Sequence, residues 1–412
     1  MLAVLLLVAS APPLPDATVQ ATSEAAILSV GGDTPSTAID VAVNPQAKAA
    51  YRDGTSTLVE GGYVGSYRLR QAANQILPYA LHRLEGTGAV GRETGGVRLT
   101  GLASLVVGES TFDNVNENLE QPFGLTTTTT IVPVASFDLA GNLSHRPVAR
   151  LILSSGARAR AYATPAVDEN GAPEGAFPSG GVGTPFLLVR GDLVPQLRAG
   201  ADVQAAYVVT RRDLASVRVD VDGVTLLDRF GYASLAGSVA WQHRLSRAFD
   251  VRAAAGAFAA FAPDASPPVG VLPAGELTVS TSPLPIAGVR PTMRVRAAVE
   301  PFYDPFLLVL TERAAVDGSV AVPFSRALSM SLALGGAARL IEFAPKDRAG
   351  RGDDVYAQAV FGARYAPWRT IAIDAGINSS IRARAPRADR GLSTTPTASA
   401  FVSVTALHGF AW

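Results

Sequence analysis

Imidazole is the side chain that most often serves as a general base or a metal ligand, and this chain of 412 residues has four: His82, His145, His243 and His408. No two stand at metal-ligand spacing, and none adjoins a carboxylate in sequence. A hydrolase needs a nucleophile held against a base, and no Ser–His or Asp–His constellation can be assembled from these positions. No catalytic residue is assigned, and the chain is read as non-enzymatic. The run Gly86-Thr87-Gly88-Ala89-Val90-Gly91 spells a dinucleotide fingerprint. That fingerprint requires a following helix whose N-terminus holds the pyrophosphate. Here Arg92 to Gly96 leads into Val97-Arg98-Leu99-Thr100, which reads as a strand, so no cofactor is expected. Asp113 to Glu120 is rich in oxygen donors suited to Ca²⁺, but a solvated loop is the simpler reading and no metal is assigned. Arg351-Gly352-Asp353 spells an adhesion tripeptide inside a loop already full of Arg, Gly and Asp. There are no cysteines, which excludes disulfides, thiolate-bound metals and a lipoprotein anchor.

The polar residues with the most meaning sit at alternate positions. Asp250, Arg252, Arg339, Arg364, Asp374, Asn378 and Arg382 recur among Gly, Ala and Ser, opposite apolar residues. From Ile371, one face is Ile371, Ile373, Ala375 and Ile377, with Asp374, Asn378, Ser380 and Arg382 opposite. From Phe249, one face is Phe249, Val251, Ala253, Ala255, Ala257 and Phe261, with Asp250, Arg252 and Gly256 opposite. From Leu328, Leu328, Met330, Leu332 and Leu334 face away from Ser329, Ser331, Ala333 and Gly335. In the last segment Ala398, Ala400, Val402, Val404, Ala406, Phe410 and Trp412 share a face that His408 interrupts. Strict alternation means strands between two different environments. Small residues leave space and mixed charges hold water, so the polar face suits a hydrated lumen.

Length separates such strands from those of a soluble sandwich. Globular strands run about 5–6 residues, whereas tilted membrane strands need about 9–11. The connections also alternate. Short ones fall at Arg244 to Arg247, Pro323 to Arg326 and Ala366 to Arg369; long ones at Ser110 to Leu125, Thr164 to Gly183, Phe343 to Asp354 and Arg384 to Pro396. Trp241, Trp368 and Trp412, with Phe249, Phe324, Tyr365 and Phe410, all map to the short-turn end. Aromatic rings favour a membrane–water interface, so these seven are expected to form a girdle there.

Composition agrees. Hydrophobic residues make up 48% and charged residues 17%, yet no window approaches the roughly 20 apolar residues of a membrane helix. The longest internal run, Ala253 to Ala262, is about half that length. The net charge of zero offers nothing to nucleic acid. At the N-terminus, Leu2 to Val8 is apolar and Ala9-Ser10-Ala11 is a small-x-small cleavage pattern, although no Lys or Arg precedes it. The expected layout is an export signal with its processing region over 1–20, a short N-terminal segment over 21–35, and the barrel over 36–412. The alternation marks about 17 strands, and bacterial barrels have even numbers. At about 22 residues per strand and connection the count is 18, with 16 as the alternative. The uncertain stretches lie before Asp53, where Pro45 interrupts a strand-like run, and from Leu197 to Leu227.

The stretches AYRDGTSTLVEGGYVGSYRLR and LHRLEGTGAVGRETGGVRLTGLASLVVGE resemble the opening hairpins of outer-membrane barrels from GC-rich Gram-negative bacteria, some associated with polysaccharide export. The terminal Phe410-Ala411-Trp412 resembles the C-terminal aromatic signal of outer-membrane proteins. The resemblance implies an all-β, antiparallel up-and-down transmembrane barrel of 16–18 strands in the outer membrane, with short periplasmic turns and longer extracellular loops. It also implies lipid and lipopolysaccharide as surroundings and recognition of the last strand by the outer-membrane assembly machinery. An aqueous conduit is the expected function, in the first instance the exit of a polysaccharide secretion system served by a periplasmic partner. A general diffusion porin and a structural or adhesive barrel without transport are the alternatives.

Overall fold

The alternating segments become strands in the computed structural model, which describes residues 16–30, 36–53, 57–72, 75–91, 96–111, 131–163, 195–226, 230–263, 269–281, 289–304, 309–343, 355–368, 370–384 and 393–411. The first half of the chain forms β1 (Asp16–Val30), β2 (Ser36–Asp53), β3 (Thr57–Ala72), β4 (Gln75–Gly91), β5 (Gly96–Thr111), β6 (Ile131–Val148), β7 (Leu151–Ala163), β8 (Gln196–Val208) and β9 (Asp213–Leu226). The second half forms β10 (Phe230–Arg244), β11 (Phe249–Phe261), β12 (Val269–Thr281), β13 (Thr292–Asp304), β14 (Val309–Pro323), β15 (Leu328–Phe343), β16 (Val355–Trp368), β17 (Ile371–Arg384) and β18 (Ser393–Ala411). Each strand pairs antiparallel with the next. β18 returns to β1 from Asp16↔Ala411 to Val30↔Thr397, so 18 strands close into a ring. With 13 to 19 residues each, the strands exceed the membrane-spanning minimum.

Closure satisfies the backbone without an edge, which is why a sheet can stand in lipid only as a barrel. Side-chain alternation then divides the wall. On β9, Val217, Val219 and Val221 are 53%, 46% and 50% exposed on one face, and Arg218, Asp220 and Asp222 occupy the other. The same division puts Leu235, Val239 and Trp241 outside on β10, and Ile373, Ile377 and Ile381 outside on β17.

The barrel begins earlier than the sequence suggests. Residues 21–35 read as a short segment ahead of the barrel, yet Asp16–Val30 is β1, paired on both sides. The alternation there is diluted by alanine, which serves either face. Pro45 does interrupt β2. It has no N–H to donate, and the pairing with β3 skips from Val43↔Tyr67 to Gln46↔Val64. Leu197 to Leu227 holds β8 and β9 joined at 209–212. The GxGxxG run lies wholly within β4.

Two irregularities shape one side of the ring. β12 and β13 pair only from Gly275↔Val299 to Ser280↔Arg294, although both strands continue toward the long-loop end. β13 meanwhile stays paired with β14 over its whole length. Between β14 and β15 the register shifts, from Glu312↔Ile341 to Arg313↔Arg339, with Leu340 the extra residue of a bulge. At the same end Val224, Leu226, Tyr232, Phe258, Ala260, Ala262, Tyr303, Leu310 and Phe343 pack into one buried apolar cluster.

The chain has no cysteine, so a single introduced thiol reports which end faces out. Ser246 lies in a short turn and Pro263 at the opposite rim. On intact cells a membrane-impermeant maleimide should label Pro263→Cys and leave Ser246→Cys unlabelled until the outer membrane is opened. The reverse pattern would invert the topology.

Candidate functional site: the inner wall

The inner wall is a lattice of arginines and carboxylates set two residues apart on neighbouring strands. On β7, Arg158 approaches Asp220 (3.7 Å) and Asp222 (3.4 Å), while Arg160 pairs with Asp138 of β6. Arg198 of β8 binds Asp222 at 3.0 Å. Arg218 reaches Asp202 at 3.5 Å and Asp220 at 3.3 Å. The Tyr232 hydroxyl donates to Asp222. Glycine makes the room: a Cβ on Gly156 would lie 2.6 Å from an Asp202 oxygen, and one on Gly200 2.9 Å from Asp222.

A second lattice spans β12 to β14. Arg296 binds Glu276 at 3.0 Å, pairs with Glu300, and stands 3.6 Å from Asp317. Arg313 donates to Glu300 at 3.1 Å and lies over the Phe302 ring at 4.0 Å. These pairs differ in worth. Arg158 and Arg218 are nearly half exposed, and ion pairs in such contact with water contribute about 0–1 kcal/mol. Asp222 is 5% exposed, so its partners compensate a real desolvation.

The residues picked out from the sequence are placed as follows. Asp250 accepts from Arg244 at 3.3 Å, and Arg252 lies 3.9 Å from Glu276. Arg364 and Asp374 are brought together at 3.9 Å, and Asn378 accepts from Gln358 at 2.8 Å. Arg339 stands opposite Arg313 in the ladder, and Arg382 opposite Tyr356 and Thr395. They belong to separate stretches of wall and do not form one cluster. The denser lattices on β6–β9 and β12–β14 were missed. Arg158-Ala-Arg160, Arg218-Val-Asp220-Val-Asp222 and Arg294-Val-Arg296 were their signal, charges at every second residue among Ala and Val.

Among the aromatics, Trp241, Phe249, Phe324, Tyr365 and Trp368 all stand exposed at the short-turn end. Phe410 pairs with Ala17 in the closing ladder, and Trp412 lies outside the described residues. So do Asp113 to Glu120 and Arg351-Gly352-Asp353. The histidines gain partners the sequence did not show. His82 Nδ1 is 2.8 Å from the Tyr63 hydroxyl, and His243 Nδ1 is 2.6 Å from Asp213 under a stacked Trp241. Thr210 also binds Asp213, which puts the carboxylate between hydroxyl and imidazole; a nucleophile–base pair needs the imidazole in the middle. No cluster of metal-ligating side chains occurs among the described residues.

No protein-family model matches the chain, and no curated protein sequence matches it. Among solved structures it is similar to OccK9 (OpdG) of Pseudomonas aeruginosa, with 13% identity over 96% of this chain and 99% of that one and a TM-score of 0.45. OccK7 (OpdD) of the same organism gives 11% identity, 96% and 100% coverage and a TM-score of 0.48. OccAB4 of Acinetobacter baumannii gives 10% identity, 97% and 99% coverage and a TM-score of 0.45. These values transfer no residue role and no substrate. The assignment rests on the wall itself: with a closed antiparallel ring, an apolar outer face and a charged inner one, the chain is a transmembrane β-barrel of the bacterial outer-membrane type.

Proposed function

We propose that the barrel is an aqueous diffusion channel for small hydrated solutes. The observation that carries this reading is the inner wall of paired arginines and carboxylates, many of them only half buried, which suits water and not lipid or a dry core. Because Arg252 and Arg364 each face a carboxylate, their positive charge is offset along those stretches of wall, and ion selectivity should be weak. The exposed aromatics at the short-turn end would sit at the periplasmic interface of the outer membrane among phospholipid, and lipopolysaccharide would surround the long-loop end. The last strand, ending in Phe410 to Trp412, would engage the assembly machinery.

The polysaccharide exit favoured by the sequence gives way to this alternative. The segments that carried the resemblance are β2–β5, which are ordinary wall, and a packed apolar cluster occupies part of the long-loop mouth where a polymer would leave. Purified protein in planar bilayers should show stable conductance with near-equal cation and anion permeability. Vesicles carrying it should admit small sugars and amino acids. A silent bilayer would favour a structural or adhesive barrel. Loss of one surface polysaccharide on gene deletion, with small-solute uptake intact, would restore the exporter.

A further inference from the structure

The apolar cluster at the long-loop end joins strands that should not meet. Tyr303 of β13 donates a hydrogen bond to Gln196 of β8 at 2.9 Å, and both side chains are buried. Five strand spacings separate β8 from β13, about 24 Å of wall at about 4.8 Å each. The Tyr303 ring also meets Tyr232 of β10, with centroids 4.8 Å apart. Phe343 of β15 lies on Gly270 of β12, where a Cβ would fall 2.5 Å from the ring.

Alternation shows how this happens. On β13 and β14 the inward residues are Arg296, Glu300, Arg313 and Asp317. Tyr303 and Leu310 pair with each other and have the opposite parity, the face that carries Val295 and Val316 into lipid lower down. Phe343 pairs with Leu310 and shares that face. Yet all three lie in one buried cluster with Val224, Tyr232 and Phe258, which point into the barrel from β9, β10 and β11. The outer face of one stretch of wall therefore lies on the inner face of another. The β12–β13 ladder stops at Gly275↔Val299 because the wall separates there.

We propose that the long-loop ends of β13–β15 fold inside β9–β12 as a second layer, and that this infolded flap is the constriction that sets the size of solute the channel passes. The second half of this statement rests on the diffusion-channel reading; the first half stands on geometry alone. The flap occupies the β9–β12 side of the mouth. Tyr303, through Gln196 and Tyr232, and Phe343, through Gly270, hold it in place.

Two measurements decide the two halves. With Tyr303 replaced by the photocrosslinking analogue p-benzoylphenylalanine, irradiation of the membrane-inserted protein should link position 303 to peptides containing Gln196 or Tyr232. Links confined to β14 would overturn the infolding. In bilayers, Tyr303→Ala combined with Phe343→Ala should raise single-channel conductance severalfold and admit larger sugars, with Val316→Ala on the lipid face unchanged. Heat-modifiable migration on a gel would confirm that each variant is a closed barrel. Conductance equal to wild type in a folded double variant would overturn the constriction and leave the channel standing. A wild type that does not conduct would overturn the channel and the constriction together, while the photocrosslink would still decide the infolding.

Discussion

Replacing Asp222 by alanine is expected to destabilise the barrel by about 3–5 kcal/mol, the cost of stripping one partner from a buried charge pair. Asp222 is 5% exposed and receives Arg198 at 3.0 Å and the Tyr232 hydroxyl, with Arg158 at 3.4 Å. Its removal takes away the acceptor that a largely buried guanidinium and a buried phenol share, in a wall where water reaches only one side. Arg218→Ala should cost under about 1 kcal/mol, because that guanidinium is nearly half exposed and its ion pairs are screened. Urea titrations of the protein in lipid vesicles would measure both. Equal midpoints for the two variants would show that the lattice is a solvated surface throughout. Asp222→Asn should fall between them, since an amide still accepts the tyrosine proton.

The second large effect tests which face meets lipid. Val316, at the middle of β14, is 59% exposed on the outer wall. Val316→Arg should cost about 2–4 kcal/mol, the range for arginine at the bilayer midplane on a barrel's lipid face. Ser319→Arg, three residues on and facing inward, should be tolerated. The comparison can be made by yield of heat-modifiable barrel and by urea midpoint. A tolerated Val316→Arg beside a destructive Ser319→Arg would turn the wall inside out.

The architecture was legible because period-two patterning over long segments has few other solutions. β11, β15 and β17 can be read residue by residue, and the rule of even strand numbers turns about 17 marked segments into 18 strands. β1 was harder: Thr18, Ala21, Thr22, Ser23 and Ala25 differ little in polarity, so alternation gave no face. The inner wall was legible only in part. Isolated polar residues such as Asp374 and Asn378 stood out against isoleucine, whereas Arg158 and Arg160 sat among alanines and were passed over. The infolded flap left no mark at all. Tyr303 and Leu310 obey the ordinary parity of outer-wall residues, and only their tertiary contacts and the early end of the β12–β13 ladder show that their surroundings are protein.

The ring closes between the two most distant strands of the chain, since Asp16 sits beside Ala411. Every other seam joins neighbours in sequence and can zip as a local hairpin. This one must bring together segments separated by nearly the whole polypeptide. Were the chain between them still flexible, closing a loop of that length would cost about 4 kcal/mol more than closing a tight turn, because closure entropy grows only with the logarithm of length; the local hairpins are therefore favoured to form first. Until the last seam is made, both terminal strands present open hydrogen-bonding edges. Assembly is therefore exposed at its final step: a chain stalled there holds 17 correct seams and two edges able to recruit any passing strand.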